Sequence, residues 1–382
     1  MLEKRGLSFL VVMFLIFSFI PTTFASANDY NFNNISSENK EAIITYVCNQ
    51  VIESYAEYYT IPSISGQIVS LIAEPDGIHA TVDVGFKKIL LAKSASELPY
   101  IKGLESELAS ITNDNASLLA KEQIDARKKD LDDNYIGKEQ EENATFKVII
   151  PISKSGFSVE ESSNFEIYFQ SETGEMNMSD FVPAPENELF NKGVEEIDSI
   201  LKSTDVERSV EIAAAKTNPS SAKDYDRIKA RGYARDYSCG KCTTSPHACR
   251  NKNYPFYNGN DCANFVSQAI HAGGIATESN WKSGTNTWVN TGYSSSIYGL
   301  KDYMVDQGFF FASPNKNKAM AGSIIYWTSY SHVGLVDQND TVTMTFCAHT
   351  NDRKSASFKN ISDVSFYIPV WDSYGGVWTP QN

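Results

Sequence analysis

The sequence predicts an α+β protein made of two units that follow one another along the chain. Charge separates the units, because residues 28–224 carry 17 Lys and Arg against 35 Asp and Glu, whereas residues 225–382 carry 14 against 11. Both parts mix segments of helical periodicity with segments in which apolar and polar residues alternate. A polar stretch containing Pro and Ser at 217–224 lies between them and predicts a linker.

The first 27 residues have the three-part layout of a secretory signal peptide. A charged start, MLEKRG, is followed by the apolar run LSFLVVMFLIFSFI and by the small residues ASA at 25–27. The apolar run is short for a full membrane span, which favours cleavage after Ala27 over an uncleaved membrane anchor. We therefore expect a secreted or cell-wall-associated protein with no transmembrane span after cleavage.

Residues 28–216 are predicted to form an acidic α+β domain. Ile43, Val47 and Val51 recur at helical spacing, and the alternating segment GQIVSLIAEPDGIHATVDVGFKKILL predicts a hairpin around its EPDG turn. Helical, charged sequence follows to about residue 140, then two strands, ATFKVIIPIS and NFEIYFQSE, and a helix from NELFNKG onward. A helix on a curved antiparallel sheet is similar to cystatin-like or nuclear-transport-factor-like folds. The domain contains no catalytic constellation, and its role stays open.

Residues 225–382 are predicted to form the second domain. YDRIKARGYARDY predicts a helix, a loop with three cysteines follows, and DCANFVSQAIHAGG predicts the next helix. IYGLKDYMVDQGF predicts a short helix, whereas GSIIYW, SHVGLVDQNDTVTMTFCAH and VSFYIPVW predict strands, with a hairpin around DQND. A helix that carries a cysteine, followed by an antiparallel sheet that carries histidines, can assemble a thiol–imidazole site.

Cys262 is predicted in the first turn of the DCANFVSQAIHAGG helix. Asp261 is a suitable N-cap residue, Phe265 and Val266 begin an apolar face, and the glycines at 273–274 end the helix. Free backbone N–H groups and the positive end of the helix dipole favour a thiolate there and can stabilise an oxyanion. The structural alternatives for this cysteine are half of a disulfide and a small core residue.

His332 begins the HVGLV strand immediately after a loop and is the candidate general base. His349, seventeen positions later on the returning strand, is the candidate third residue that would orient the base. Counting around a DQND turn sets His332 opposite Thr345, so the two histidines share a face but lie four residues out of register. A bulge or a longer turn would bring them together; otherwise Asn351 or Asp352 is the orienting group.

These segments resemble a known family. YDRIKARGYARDY, YPFYNGNDCANFVSQAIHAGG, NWKSGTNTWVNTG, AGSIIYWTSYSHVGLV and AHTNDR are similar to the bacterial family named putative amidase domain, which resembles CHAP-type and other papain-like cell-wall cysteine hydrolases. The resemblance covers about residues 225–370. It implies a papain-like fold, in which the nucleophile helix packs on an antiparallel sheet, with Cys262 as nucleophile, His332 as base and His349 as third residue. Gly-Ser at 322–323 replaces the Gly-Asp frequent in the family, and CGKCTTSPHAC is an insertion.

The inserted loop offers four candidate zinc ligands: Cys239, Cys242, His247 and Cys249. An exported protein favours disulfides instead, with Cys347 as the candidate fourth partner of the three loop cysteines. A bond between Cys347 and Cys262 would exclude catalysis. We expect no metal and no organic cofactor.

The sequence therefore predicts a secreted, cysteine-dependent amidase or peptidase. By family analogy, its substrates are peptidoglycan peptides or the sugar–peptide amide bond. The alternatives are a cysteine endopeptidase that acts on protein and a non-catalytic, disulfide-stapled wall-binding module. Neither domain is basic enough to bind nucleic acid well.

Overall fold

The computed structural model describes residues 35–151, 165–202, 225–240, 249–292, 297–359 and 363–370. The predicted signal peptide and the predicted linker at 217–224 lie outside these residues. We call residues 35–202 the front half and residues 225–370 the rear half.

The front half begins with helix α1, whose buried Ile43, Val47 and Val51 confirm the predicted apolar face. The predicted hairpin is also confirmed. Its second strand has the expected extent, and its first strand begins at Tyr59, seven residues before the alternating sequence. The elements are, in chain order, α1 (Ser37–Tyr55), β1 (Tyr59–Glu74), β2 (Gly77–Leu90), α2 (Pro99–Leu108), α3 (Asp114–Asn134), β3 (Gln140–Ile150), β4 (Glu166–Ser171), β5 (Gly174–Asn177), α4 (Met178–Phe181) and α5 (Glu186–Lys202).

The rear half has the predicted order of helices followed by strands. Its elements are α6 (Arg227–Asp236), α7 (Cys262–Ala272), α8 (Asn286–Val289), α9 (Leu300–Asp306), β6 (Phe310–Ser313), β7 (Ile324–Trp327), β8 (His332–Asn339), β9 (Met344–Ala348), β10 (Arg353–Phe358) and β11 (Val364–Pro369). Strands β5, β6 and β10 were not predicted. Four residues are too few for a period-two pattern to be recognised in β5 and β6, and the sequence of β10, RKSASF, has no run of apolar residues.

Within the described residues, the strands form one sheet, and the protein is of the predicted α+β class. The main order is β1–β2–β3–β10–β9–β8–β7–β11–β6, and β4 pairs with both β3 and β5. The halves join where Asn143 of β3 pairs in parallel with Ala356 of β10, and the Asn143 side chain donates to the Lys354 carbonyl at 2.9 Å. The division into two domains stays a prediction, but the halves share this sheet.

Polar and charged side chains cross between the halves. Asp130 of α3 forms a buried ion pair with Arg227 of α6, and the Tyr59 hydroxyl donates to the Asp340 carboxylate at 2.8 Å. Burial of such groups is tolerated where each finds a hydrogen-bond or charge partner. The contact between the halves is therefore built from matched polar groups in addition to the sheet.

The turn between β8 and β9 differs from the predicted DQND turn at 337–340. Strand β8 continues through Asn339, and the Asp340 carboxylate accepts the amides of Val342 at 3.1 Å and Thr343 at 2.8 Å. An aspartate that bonds the backbone two and three residues later stabilises a turn that begins at itself. The turn prediction was therefore wrong by three residues, and this shift changes the register of the two histidine-bearing strands.

Candidate active site

Helix α7 starts at Cys262, as predicted, and packs its buried face on the rear strands. Asp261 occupies the N-cap position, but its side chain makes no capping hydrogen bond, so the predicted role of that carboxylate was wrong. The reason is that other partners occupy it. Its Oδ1 accepts from the Tyr257 amide at 3.1 Å and from the Asn264 side chain at 2.8 Å.

The Cys262 sulfur lies at this helix start and is buried, with 3% of the residue exposed. The backbone N–H groups of Val333, Ala263 and Cys262 itself lie close enough to affect its ionisation. Burial raises the pKa of the thiol, these three amides lower it in part, and the Asp261 carboxylate raises it further. The lowered pKa expected for a thiol at a helix start is therefore not observed in the resting state, because burial outweighs the amide hydrogen bonds.

His332 begins β8, directly before the amide that reaches the Cys262 sulfur. Its ring lies between Trp327, with ring centroids 5.3 Å apart, and Tyr330, which stacks on it at 5.5 Å. Nε2 of His332 is buried and has no hydrogen-bond partner. Burial and then the charge of Arg353 lower the pKa of His332 to about 4, so the ring is neutral at pH 7 and both influences oppose its protonation.

His349 lies against the start of α7. Its Nδ1 is 2.7 Å from Asp261 Oδ2, its Nε2 is 2.7 Å from the Tyr237 carbonyl, and its ring stacks on Phe265 with centroids 4.0 Å apart. These contacts bring His349 to the residue that precedes the cysteine. They tie the β9 end of the sheet to the helix start.

The structure does not place the two histidines on one face of the sheet, as the residue count had suggested. Trp327 pairs with His332 and contacts it on the face away from α7, whereas His349 stacks on α7. A bulge between Val336 and Gln338 shifts the β8–β9 register by one residue. Because side chains alternate along a strand, this shift turns His349 to the opposite face.

The structure shows one disulfide and three free cysteines among the described residues. Cys239 and Cys249 form a disulfide, which takes two of the four candidate zinc ligands, while Cys242 and His247 lie outside the described residues. The suggestion that Cys347 completes the disulfides was wrong, because Cys347 is a free, fully buried thiol in the sheet core. Cys262 is also free, so the disulfide that would have excluded catalysis is absent. Groups of three or more metal-ligating side chains do not occur among the described residues.

A small cleft of about 230 Å³ opens at the mouth of this site. It is lined by Asn260, Asn290, Thr291, Tyr330 and Ser331, of which Asn260 lies two residues before the cysteine and Tyr330 and Ser331 directly precede His332. Trp281 and Trp288, the tryptophans of the NWKSGTNTWVNTG segment, are fully buried and belong to the core.

Of the other candidate orienting groups, Asn351 lies against Glu172, and Asp352 is buried beside Arg353, whose Nη1 donates to the Asp352 carbonyl at 3.0 Å. The contact between Asp261 and His349 was not predicted. No local pattern links residues 88 positions apart, and the one available signal was the acidic residue directly before the cysteine.

Comparison with known proteins supports the rear half as a recognisable unit. The chain is 28% identical over 171 residues to "Uncharacterized protein YjcM" of Bacillus subtilis (strain 168), a match that covers 43% of this chain and 37% of that relative. No solved structure gives a significant match. In the part of the chain that the structure describes, no helix is long and apolar enough to cross a membrane. The family model described as "Putative amidase domain" matches residues 224–368.

Proposed function

We propose that the protein is a cysteine-dependent amide hydrolase with Cys262 as nucleophile and His332 as general base. The observation that carries this proposal is the position of the free Cys262 sulfur at the start of α7, where the nearby N–H groups of Val333, Ala263 and Cys262 itself lower its pKa. Backbone N–H groups aimed at one sulfur stabilise its thiolate, and the thiolate is the attacking form. The match of residues 224–368 to an amidase family supports the class of reaction.

We assign the role of general base to the His332 ring, because one of its nitrogens has no hydrogen-bond partner. Nε2 of His332 is buried without a hydrogen bond. An unpaired buried polar atom costs free energy of folding, and a role in proton transfer explains why the site retains it. In the resting structure this ring packs on Trp327 and Tyr330, on the face of the sheet away from α7. Proton transfer therefore requires the His332 side chain to leave these contacts and to swing around the start of β8 to the Cys262 sulfur. We assign His349 to hold Asp261, and through it the start of α7, instead of bonding His332 directly.

The reaction then follows the usual course for a thiol–imidazole pair. His332 takes the Cys262 proton, the thiolate attacks the amide carbonyl, and backbone amides at the helix start stabilise the oxyanion. His332 returns the proton to the leaving amine, which departs and leaves a thioester on Cys262. Water, deprotonated by His332, hydrolyses the thioester and restores the thiol.

The substrate class rests on family analogy and on the predicted export. We propose peptidoglycan peptides or the sugar–peptide amide bond, with a papain-like arrangement of the rear half and a cystatin-like one for the front half. A disulfide between Cys239 and Cys249 supports export, since disulfides persist in oxidising compartments.

The test is hydrolysis of purified wall fragments, with products identified by mass spectrometry, by the wild-type protein and by Cys262→Ala. Cys48→Ala is the matched control, because Cys48 is another free, buried cysteine but lies on α1 of the front half. We expect Cys262→Ala to abolish hydrolysis and Cys48→Ala to retain it. Unchanged hydrolysis by Cys262→Ala would remove the mechanism, and cleavage of denatured protein alone would favour the endopeptidase alternative.

His332→Ala and His349→Ala separate the two histidines. Loss of the base costs roughly 100- to 10,000-fold in rate, so His332→Ala should fall in this range. His349→Ala should retain more activity and lose stability, because its contacts are structural. The reverse order of effects would transfer the role of base to His349.

A further inference from the structure

The turn that joins β4 and β5 of the front half places the Glu172 carboxylate against residues of the rear half. Glu172 follows β4 directly, and its side chain is only 3% exposed. A charged side chain in a two-residue turn normally lies in solvent. Its burial therefore indicates a specific partner elsewhere in the fold.

The topology of the sheet explains why this turn reaches the rear half. Strand β4 runs antiparallel to β3, from Ile149 opposite Glu166 back to Phe146 opposite Phe169. Continuing in that direction leads towards Asn143, where β10 joins the same edge of β3. The turn after β4 consequently arrives beside the first residues of β10.

Glu172 forms an ion pair with Arg353, the first residue of β10. Asn351 and the Tyr330 hydroxyl also lie against the carboxylate. Burial raises the pKa of Glu172, and Arg353 is the largest influence opposing that rise. Arg353 is thus the main group that favours the charged form of this carboxylate.

Two of the partners of Glu172, Tyr330 and Arg353, also act on His332. Tyr330 stacks on the His332 ring with an angle of 14° between the planes. The positive charge of Arg353 opposes protonation of the same ring. The charged and titratable groups described around His332 are therefore Arg353 from β10 and Tyr330 from the preceding loop. Glu172 of the front half contacts both of these residues, and Cys262 lies near Tyr330.

We propose that Glu172 is a positioning residue of the rear-half site: its carboxylate offsets the charge of Arg353 and fixes Tyr330, so that His332 can take up the Cys262 proton. This inference rests on the proposed function and gives the front half a part in it. The acidic front half then completes the environment of the base without touching the substrate.

Substitutions of Glu172 and of Arg353 are expected to have different effects on protonation of His332. Glu172→Gln leaves the guanidinium of Arg353 uncompensated, so the imidazolium of His332 becomes harder to form. Arg353→Gln removes the positive charge and leaves the carboxylate, so the imidazolium becomes no harder to form. A purely structural ion pair would instead lose function when broken from either side.

The measurement is the rate at which iodoacetamide alkylates Cys262 at pH 7, and its dependence on pH, followed on the peptide that carries Cys262 by mass spectrometry. We expect Glu172→Gln to slow alkylation about tenfold, the effect of one pKa unit, and Arg353→Gln to leave it equal or faster. Since the two variants are independent, Arg353→Gln still tests the proposal if Glu172→Gln fails to fold.

Glu196→Gln is the matched control. Glu196 is also a buried front-half carboxylate that pairs with a rear-half cation, Lys318, at 2.7 Å, but Lys318 lies before β7 and away from His332. We expect this variant to alkylate within about twofold of the wild type, well below the tenfold effect of one pKa unit.

Three results would overturn the proposal: an unchanged rate in Glu172→Gln, equal slowing in Glu172→Gln and Glu196→Gln, or slowing in Arg353→Gln. The proposed function fails separately, if wild-type Cys262 is not alkylated or if His332→Ala leaves its rate unchanged. Alkylation requires no substrate, so the two failures are distinguishable.

Discussion

Removing the carboxylate of Asp130 tests whether the two halves are held together by their buried charges. Asp130 lies on α3 and is 2% exposed. Its Oδ2 accepts from Arg127 at 2.8 Å, its Oδ1 pairs with Arg227 at the start of α6, and Asn134 donates to Oδ1 at 2.8 Å. Asp130→Asn keeps the shape of the side chain but leaves two buried guanidinium groups without a counter-charge.

The expected loss is large because both cations stay buried. Breaking a buried pair by removing one partner costs about 3–5 kcal/mol. With an unfolding slope of about 3 kcal/mol/M in urea, the midpoint should fall by about 1–2 M. Asp133→Asn is the control, since Asp133 pairs with Lys129 on the same helix but is 45% exposed in its side chain, and an exposed pair contributes about 0–1 kcal/mol.

Two signals follow the unfolding of Asp130→Asn. All five tryptophans lie after residue 280, so their fluorescence reports the rear half, whereas circular dichroism reports both halves. We expect the two transitions to shift together, because Asp130 and Arg227 belong to different halves. A loss below about 1 kcal/mol, or a shift in circular dichroism without a shift in fluorescence, would contradict this account of the interface.

Three further predictions concern single ionisable groups. The folded-state pKa of His332 lies below the ordinary value, so protonation favours the unfolded chain. The free energy of unfolding should therefore fall as pH drops from about 6.5 to about 4, and His332→Gln should reduce this pH dependence in urea titrations. Lys359, whose pKa burial lowers to about 7, should make stability rise from pH 7 towards the unfolded value of about 10.4, and Lys359→Met should remove this rise. Asp261→Ala should destabilise the protein by at least about 1.5–3 kcal/mol, because it removes the bond to His349 and the two bonds that Oδ1 accepts, and an unchanged urea midpoint would show those bonds to be dispensable.

Local patterns predicted the elements that build the site. The apolar spacing after Asp261 set the start of α7 at Cys262, and the strand that begins at His332 was recognised from alternation and its preceding loop. These features depend on residues within one turn or one strand. They are therefore present in the sequence in readable form.

The side-chain geometry at the site could not be predicted in the same way. The face on which His349 lies depends on a one-residue bulge between Val336 and Gln338 and on the Asp340 turn. Either feature changes the register, and neither has a strong sequence signal. The pKa of the Cys262 thiol likewise depends on burial by the whole rear half, which outweighs the local effect of the helix start.

The charge difference between the halves has a structural counterpart that composition alone did not reveal. In the ion pairs Asp130–Arg227, Glu172–Arg353 and Glu196–Lys318, the acid belongs to the front half and the base to the rear half. In the sequence, the charge difference marked the boundary between two units. In the folded chain, part of the front half's negative charge pairs with cations of the rear half, and one of these cations, the partly exposed Arg353, opposes protonation of His332. The acidic half is consequently part of the electrostatic environment in which the candidate base must work.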